Sequence, residues 1–252
     1  IRANNTQNAL RVPDFRSNDP IQLWLEEQFR NLKPNKGNLG KIIYGRKRPY
    51  GKVKPNETLM KMMDFGKIRF AWLHDPRIPI SAPNRLFVHA EQNGFYEKAF
   101  GDKEKLVSLW DGDTFKESLL AVHSFFYCSD ALEKEEGMTF QYEQGDETLE
   151  LPYKQLSRLK FYALKCMKLY ADEHLHTLPD TSRDDLLAFG KKFDNFCQQS
   201  FKRISPAVKK AYRERIKNKD GAAFTLPRDG RMWKEIEENF KENCEMFEDM
   251  LI

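Results

Sequence analysis

The feature that most constrains this chain is its repetition of apolar residues at a spacing of three and four, segment after segment, each opened by a proline or a short polar residue. That spacing places side chains on one face of an α-helix and leaves little room for extended sheet. Asp19-Pro20 starts the first such segment, with Ile21, Trp24, Leu25, Phe29 and Leu32 as its stripe, and predicts a helix from Pro20 to Leu32. Asp19 is expected to accept hydrogen bonds from the N–H groups of the first turn. A second segment, capped by Asn56, predicts one long helix from Glu57 to Leu73 on Leu59, Met60, Met63, Ile68, Phe70 and Trp72, stopped by His74-Asp75-Pro76.

Short turns are expected around Leu86 to Glu91 and Tyr96 to Phe100, and helices over Glu104–Trp110 and Thr114–Lys134. From Pro152 two further stripes follow. One is Leu156, Leu159, Tyr162, Ala163, Cys166 and Tyr170, and the other runs from Leu186 to Phe201. Pro206 to Lys219 reads as a basic helix and Met232 to Leu251 as an acidic one on Trp233, Ile236, Phe240 and Phe247. Period two appears chiefly in Met138–Glu143 and Thr148–Leu151, around a turn at Gln144-Gly145-Asp146, and predicts a small hairpin. The expected fold is therefore mainly α: an irregular multi-helix bundle with at most a small β-hairpin near residues 138–151. Its expected organisation is a helical region 1–137 carrying a basic loop and a helical region 138–252.

Composition enters where order is in question. Charged residues reach 32% and hydrophobic ones only 40%, yet 19 Phe are too many for a disordered chain. The net charge of +4 conceals blocks of opposite sign: residues 1–100 carry 18 Lys and Arg against 9 Asp and Glu, and residues 101–150 carry 4 against 13. Residues 151–219 return to 16 against 7, and 220–252 to 4 against 9. Such blocks either complement one another within the fold or aim basic faces at a polyanion. The chain begins at Ile1 without an early apolar run, and reads as an excised or processed piece of a cytoplasmic protein with no membrane segment.

Signatures of catalysis are lacking: no phosphate-cradling glycine loop, no His-Glu-x-x-His and no nucleophile elbow. Cys128, Cys166, Cys197 and Cys244 stand too far apart for a Cys-x-x-Cys metal or redox pair. His174 and His176, two residues apart, would point to different sides of a helix; His123 reads as a satisfied core residue and His74 as part of a helix stop. The pairs Asp111/Asp113 and Asp184/Asp185 read as helix starts. No cofactor and no metal is expected.

What remains is chemistry suited to nucleic acid. Arg46, Lys47 and Arg48 sit in a loop beside Tyr44 and Tyr50, and a second basic stretch carries Lys202, Arg203, Lys209, Lys210, Arg213, Arg215 and Lys217. Cationic side chains hold phosphates, and aromatic faces stack on unpaired bases. The opening run Arg2, Asn4, Asn5, Gln7 and Asn8 offers amides that either read adenine edges or build local turns and caps.

Three stretches in order, Ile1–Asn8, Asp14–Gln22 and Tyr44–Arg48, resemble the later part of abortive infection phage resistance (AIPR) proteins, in which polar amides precede an Asp-Phe segment, a helix and an aromatic-x-Arg-Lys-Arg motif. Phe70–Pro76, Pro83–Phe87 and Phe95–Phe100 are similar to the segments that follow there. The ordered likeness covers about residues 1–130, and residues 150–252 share only helical character. The resemblance implies bacterial antiviral defence, with a nuclease-like region upstream in full-length relatives; nothing matching that region is in this chain, so it transfers no catalytic residue. Two functions are expected from it: DNA or RNA recognition or scaffolding for an upstream effector, or a protein-interaction and self-association module that meets a phage or host protein or forms a homo-oligomer. A nuclease intrinsic to this chain is the third reading.

Overall fold

A computed structural model describes residues 12–32, 40–47, 50, 52–101, 112–134, 141–144, 147–150 and 159–174. Helix dominates them, and the chain groups into two compact units, Ile1–Lys67 with Ala82–Asp111, and Ile68–Ser81 with Gly112–Ile252.

Among the described residues the first unit opens on a 3-10 turn, Val12–Arg16. Helix α1, Pro20–Asn31, begins as the sequence predicts, with proline in the position whose missing N–H costs nothing. Its cap differs. Asp19 makes no side-chain cap bond; its backbone carbonyl accepts from Gln22 and Leu23 at 2.9 and 3.1 Å, and its carboxylate lies 3.8 Å from Arg16. The buried face of α1 is Ile21, Gln22, Leu25 and Phe29.

Strand β1, Lys41–Gly45, pairs in parallel with β2, Glu57–Lys61, so that Ile42 lies opposite Thr58 and Tyr44 opposite Met60. This corrects two expectations: residues 57–73 are not one helix, and the chain holds a parallel pair in addition to a hairpin. The cause is backbone satisfaction. β1 presents N–H and C=O groups that need a partner, and the Lys41 N–H begins the ladder by donating to the Asn56 carbonyl at 3.0 Å. Once Glu57–Lys61 serves as that partner, the helix starts only at Met62.

Helix α2, Met62–Leu73, is apolar on nearly every side, as a helix buried in a core must be. In the first unit, Phe65 stands edge-on to Phe29 and Tyr44, with centroids 5.6 and 5.7 Å away and both planes at 89°. Gly66 in mid-helix is explained by contact, since a Cβ there would sit 2.7 Å from the Phe100 ring. Phe100 belongs to α4, Tyr96–Phe100, which follows 3-10 turns at Pro83–Phe87 and Ala90–Gln92 and buries Tyr96, Ala99 and Phe100.

In the second unit the last turns of α2 and the short helix α3, Ile78–Ser81, join α5, Gly112–Lys134, and α6, Leu159–His174. Phe125 of α5 meets Phe161 of α6 with ring centroids 5.5 Å apart. The buried residues of α6 among those described are Phe161, Leu164, Met167 and Ala171; the side chains of Tyr162, Ala163, Cys166 and Tyr170 lie outside that set. Glu117 accepts from the Trp72 indole at 3.1 Å and pairs with Lys168 at 2.9 Å, while Lys165 donates to the carbonyls of Trp72 and Leu73, where the α2 dipole is negative. The hairpin is present as β3, Gln141–Gln144, against β4, Glu147–Glu150. The helices expected at Glu104–Trp110 and beyond Leu175 lie outside the described residues.

His123 gives this unit a pH dependence. Burial lowers its pKa from 6.5 to about 4. Between those values the unfolded chain binds a proton that the folded chain refuses, so stability falls as pH drops through that window. Urea unfolding at pH about 7 and about 4.5 should show a loss on the order of 1–3 kcal/mol, and His123→Leu should flatten it.

Candidate nucleic-acid interface

The basic knot that follows β1 is split by the fold into residues that hold structure and residues that face outward. Strand alternation turns Tyr44 inward, where its ring stacks on Phe29 at 5.2 Å with planes 4° apart. Its hydroxyl donates to Gln22 Oε1 at 2.5 Å, and the Gln22 amide donates from Nε2 to the Tyr96 hydroxyl at 3.3 Å. Gln22 is fully buried, so this chain of bonds is what makes an amide tolerable there. Burial raises both tyrosine hydroxyls well above their ordinary pKa; for Tyr96 the nearby Asp19 carboxylate adds to the rise, against the opposing bond from Gln22.

Arg46 is equally committed. Its Nε donates to Glu26 Oε2 at 2.9 Å, and one terminal nitrogen donates to the Ser17 carbonyl at 3.0 Å and to Asn18 Oδ1 at 3.3 Å. Only 16% of its side chain is exposed. A guanidinium with its fork satisfied by α1 and the turn before it acts as a clamp on the end of β1. Lys47, the next residue, is exposed.

Beyond Lys47 the crossover to β2 continues in the same manner. Lys52 and Lys54 are exposed, and Lys61, the last residue of β2, is exposed opposite Gly45. Among the described residues none of these four ammonium groups is in an ion pair. The loop is tied down at its end through Glu57, whose carboxylate accepts from the Lys54 N–H and whose own N–H donates to the Lys54 carbonyl, both at 3.0 Å. Tyr50 is half-buried, with the Lys61 ammonium 5.8 Å from its ring centroid.

The sequence predicts Arg46, Lys47 and Arg48 in a loop beside Tyr44 and Tyr50. The structure puts Tyr44 in the core, Arg46 in the clamp and Lys47 on the surface; Arg48 lies outside the described residues, as do Arg2, Asn4, Asn5, Gln7 and Asn8 and the distant Lys202, Arg203, Lys209, Lys210 and Arg213. Lys52, Lys54 and Lys61 were missed. Lys52-Val53-Lys54-Pro55 was visible as a basic, proline-marked run, whereas Lys61 was hidden by the helix expected over residues 57–73.

A cleft of about 230 Å³ elsewhere in this unit has the opposite character, being lined by Asp19, Glu91 and Glu97 with His89 and Tyr96. Glu97 accepts from the Ala90 N–H at 2.9 Å and meets His89 Nδ1 at 2.5 Å. Burial pushes the Glu97 carboxyl upward, but those bonds outweigh it and hold the group below the usual range. Three carboxylates make this cleft unfavourable for phosphate. Among the described residues no group of His, Cys, Asp and Glu is arranged to hold a metal ion, and no helix is long and apolar enough to cross a membrane.

No protein-family model, curated protein or solved structure matches the chain. Arg46 and Lys47 separate the two roles by experiment. Arg46→Ala should destabilise the protein by about 2 kcal/mol, because it strands the buried Ser17 carbonyl and the half-buried Glu26 carboxylate. Lys47→Ala should stay within about 0.5 kcal/mol of the parent in the same denaturant titration.

Proposed function

We propose that the first unit binds the phosphate backbone of a nucleic acid along the crossover between β1 and β2. The observation that carries this reading is the set Lys47, Lys52, Lys54 and Lys61: three exposed ammonium groups on the connection and a fourth at the end of β2, none neutralised by a carboxylate among the described residues. Ammonium groups left unpaired in this way release counterions from a polyanion when it docks. The clamp at Arg46 and the tie at Glu57 fix both ends of the connection, which lowers the ordering cost of binding. In the defence setting that the resemblance to AIPR-type proteins implies, the surface would bring an upstream effector region to nucleic acid. A self-association module finds less support among the described residues, since Phe29, Phe65, Phe70, Phe87 and Phe100 are buried there and the exposed large apolar side chains among them are Phe15, Leu23 and Val53.

Fluorescence anisotropy with a labelled oligonucleotide over a range of salt concentrations tests the proposal. Four phosphate contacts predict that log K falls against log salt with a slope of about −3. Replacing all four lysines by alanine should remove most of that slope and weaken binding on the order of a hundredfold at low salt. Affinity that ignores salt, or that survives the fourfold replacement, refutes it.

A further inference from the structure

We infer that Glu57 sets the affinity of the lysine-bearing crossover in two opposed ways, holding its last turn in shape and opposing the phosphates with its own charge; this rests on reading that crossover as a nucleic-acid face. Glu57 opens β2, directly after the connection, and lies opposite Lys41 in the parallel register. It is the sole acidic residue between Arg46 and Lys61. Lys54 stands three residues before it, and Lys61, four residues after it, shares its face of the strand by alternation. A carboxylate in such company is expected to neutralise a lysine, yet among the described residues Glu57 forms no ion pair. Its Oε2 instead accepts from the Lys54 backbone N–H at 3.0 Å, while its own N–H donates to the Lys54 carbonyl at 3.0 Å.

The two roles act on the same event with opposite sign. The pair of bonds closes Lys54-Pro55-Asn56-Glu57 into a turn, and the Lys41 N–H, donating to the Asn56 carbonyl at 3.0 Å, fastens that turn to β1. A turn already ordered presents Lys54 without the entropy cost of arranging it on contact. The charge works the other way. A backbone N–H carries no net charge, so the carboxylate it binds keeps its full negative charge among the lysines, and an incoming phosphate is repelled by it while attracted by them. Salt screens such exposed charges, so the opposition is felt most at low ionic strength. The surface is thus shaped for a polyanion but held below the affinity that its lysines alone would reach, which keeps a contact without sequence discrimination reversible.

The test titrates the full chain, as parent, Glu57→Gln and Glu57→Ala, into a labelled oligothymidylate of about 20 nucleotides. Glutamine keeps an oxygen acceptor of the same reach and removes the charge, whereas alanine removes both. Glu57→Gln should bind about threefold more tightly than the parent at low salt, a gain that a purely structural role does not produce. Glu57→Ala should bind about fivefold more weakly than Glu57→Gln, because the two are equally neutral and differ in the tie. Amide exchange at Lys54 should be slower in the parent and Glu57→Gln than in Glu57→Ala, and the salt slope should stay the same in all three, since the lysines are untouched. Glu57→Gln binding no tighter than the parent, or no tighter than Glu57→Ala, would overturn the inference and leave the lysine surface standing. A parent without salt-dependent binding would overturn that surface and the inference with it.

Discussion

The buried amide of Gln22 is the interaction on which the first unit depends. It joins a helix, a strand and a second helix through two bonds, to Tyr44 on β1 and Tyr96 on α4, with no exposure to water. Neither bond is strong by itself, but the three groups are mutually dependent, because loss of any one leaves a desolvated donor or acceptor behind. The aromatic cluster of Phe29, Tyr44 and Phe65 surrounds that polar line and keeps solvent from competing for it. Apolar packing supplies the bulk of the stabilisation here; the amide decides which of many apolar packings is adopted.

Around this line the unit assigns its cations by geometry. The arginines described here bond within the fold: Arg46 to Glu26 and Ser17, Arg16 to the Phe87 carbonyl and over the Tyr96 ring, Arg85 to the Asn93 carbonyl. Planar forks suit fixed carbonyls and carboxylates, so an arginine near ordered backbone tends to be absorbed by it. The lysines of the crossover, with a compact and strongly hydrated charge, remain in water. Recognition by such groups is strong in rate and charge but poor in sequence discrimination, which requires base contacts.

Much of this was legible in the sequence, and the limits are physical. Helix α1 could be read because Asp19-Pro20 and a clean stripe agree, and the hairpin because period two has few rival explanations. Strand β2 could not, since Leu59 and Met60 satisfy a helical stripe as well as a strand, and only the need of β1 for a partner decides between them. Asp19 looked like a side-chain cap until Arg16 was found beside it. Gln22 was invisible for another reason: an amide inside a helix reads as a solvent-facing residue, and nothing local announces that two tyrosines, 22 and 74 positions away, will enclose it.

The junction between β2 and α2 has no spacer, Lys61 ending the strand and Met62 beginning the helix. A strand that passes directly into a helix has no loop in which to absorb a local displacement. Any load placed on Lys61 is therefore borne by the first turn of α2, whose Met62 and Phe65 are locked in the core. If a polyanion docks on Lys61 as proposed, its occupancy should be recorded inside the protein, as slower amide exchange over Met62–Lys67, the helical turn that starts at the next residue.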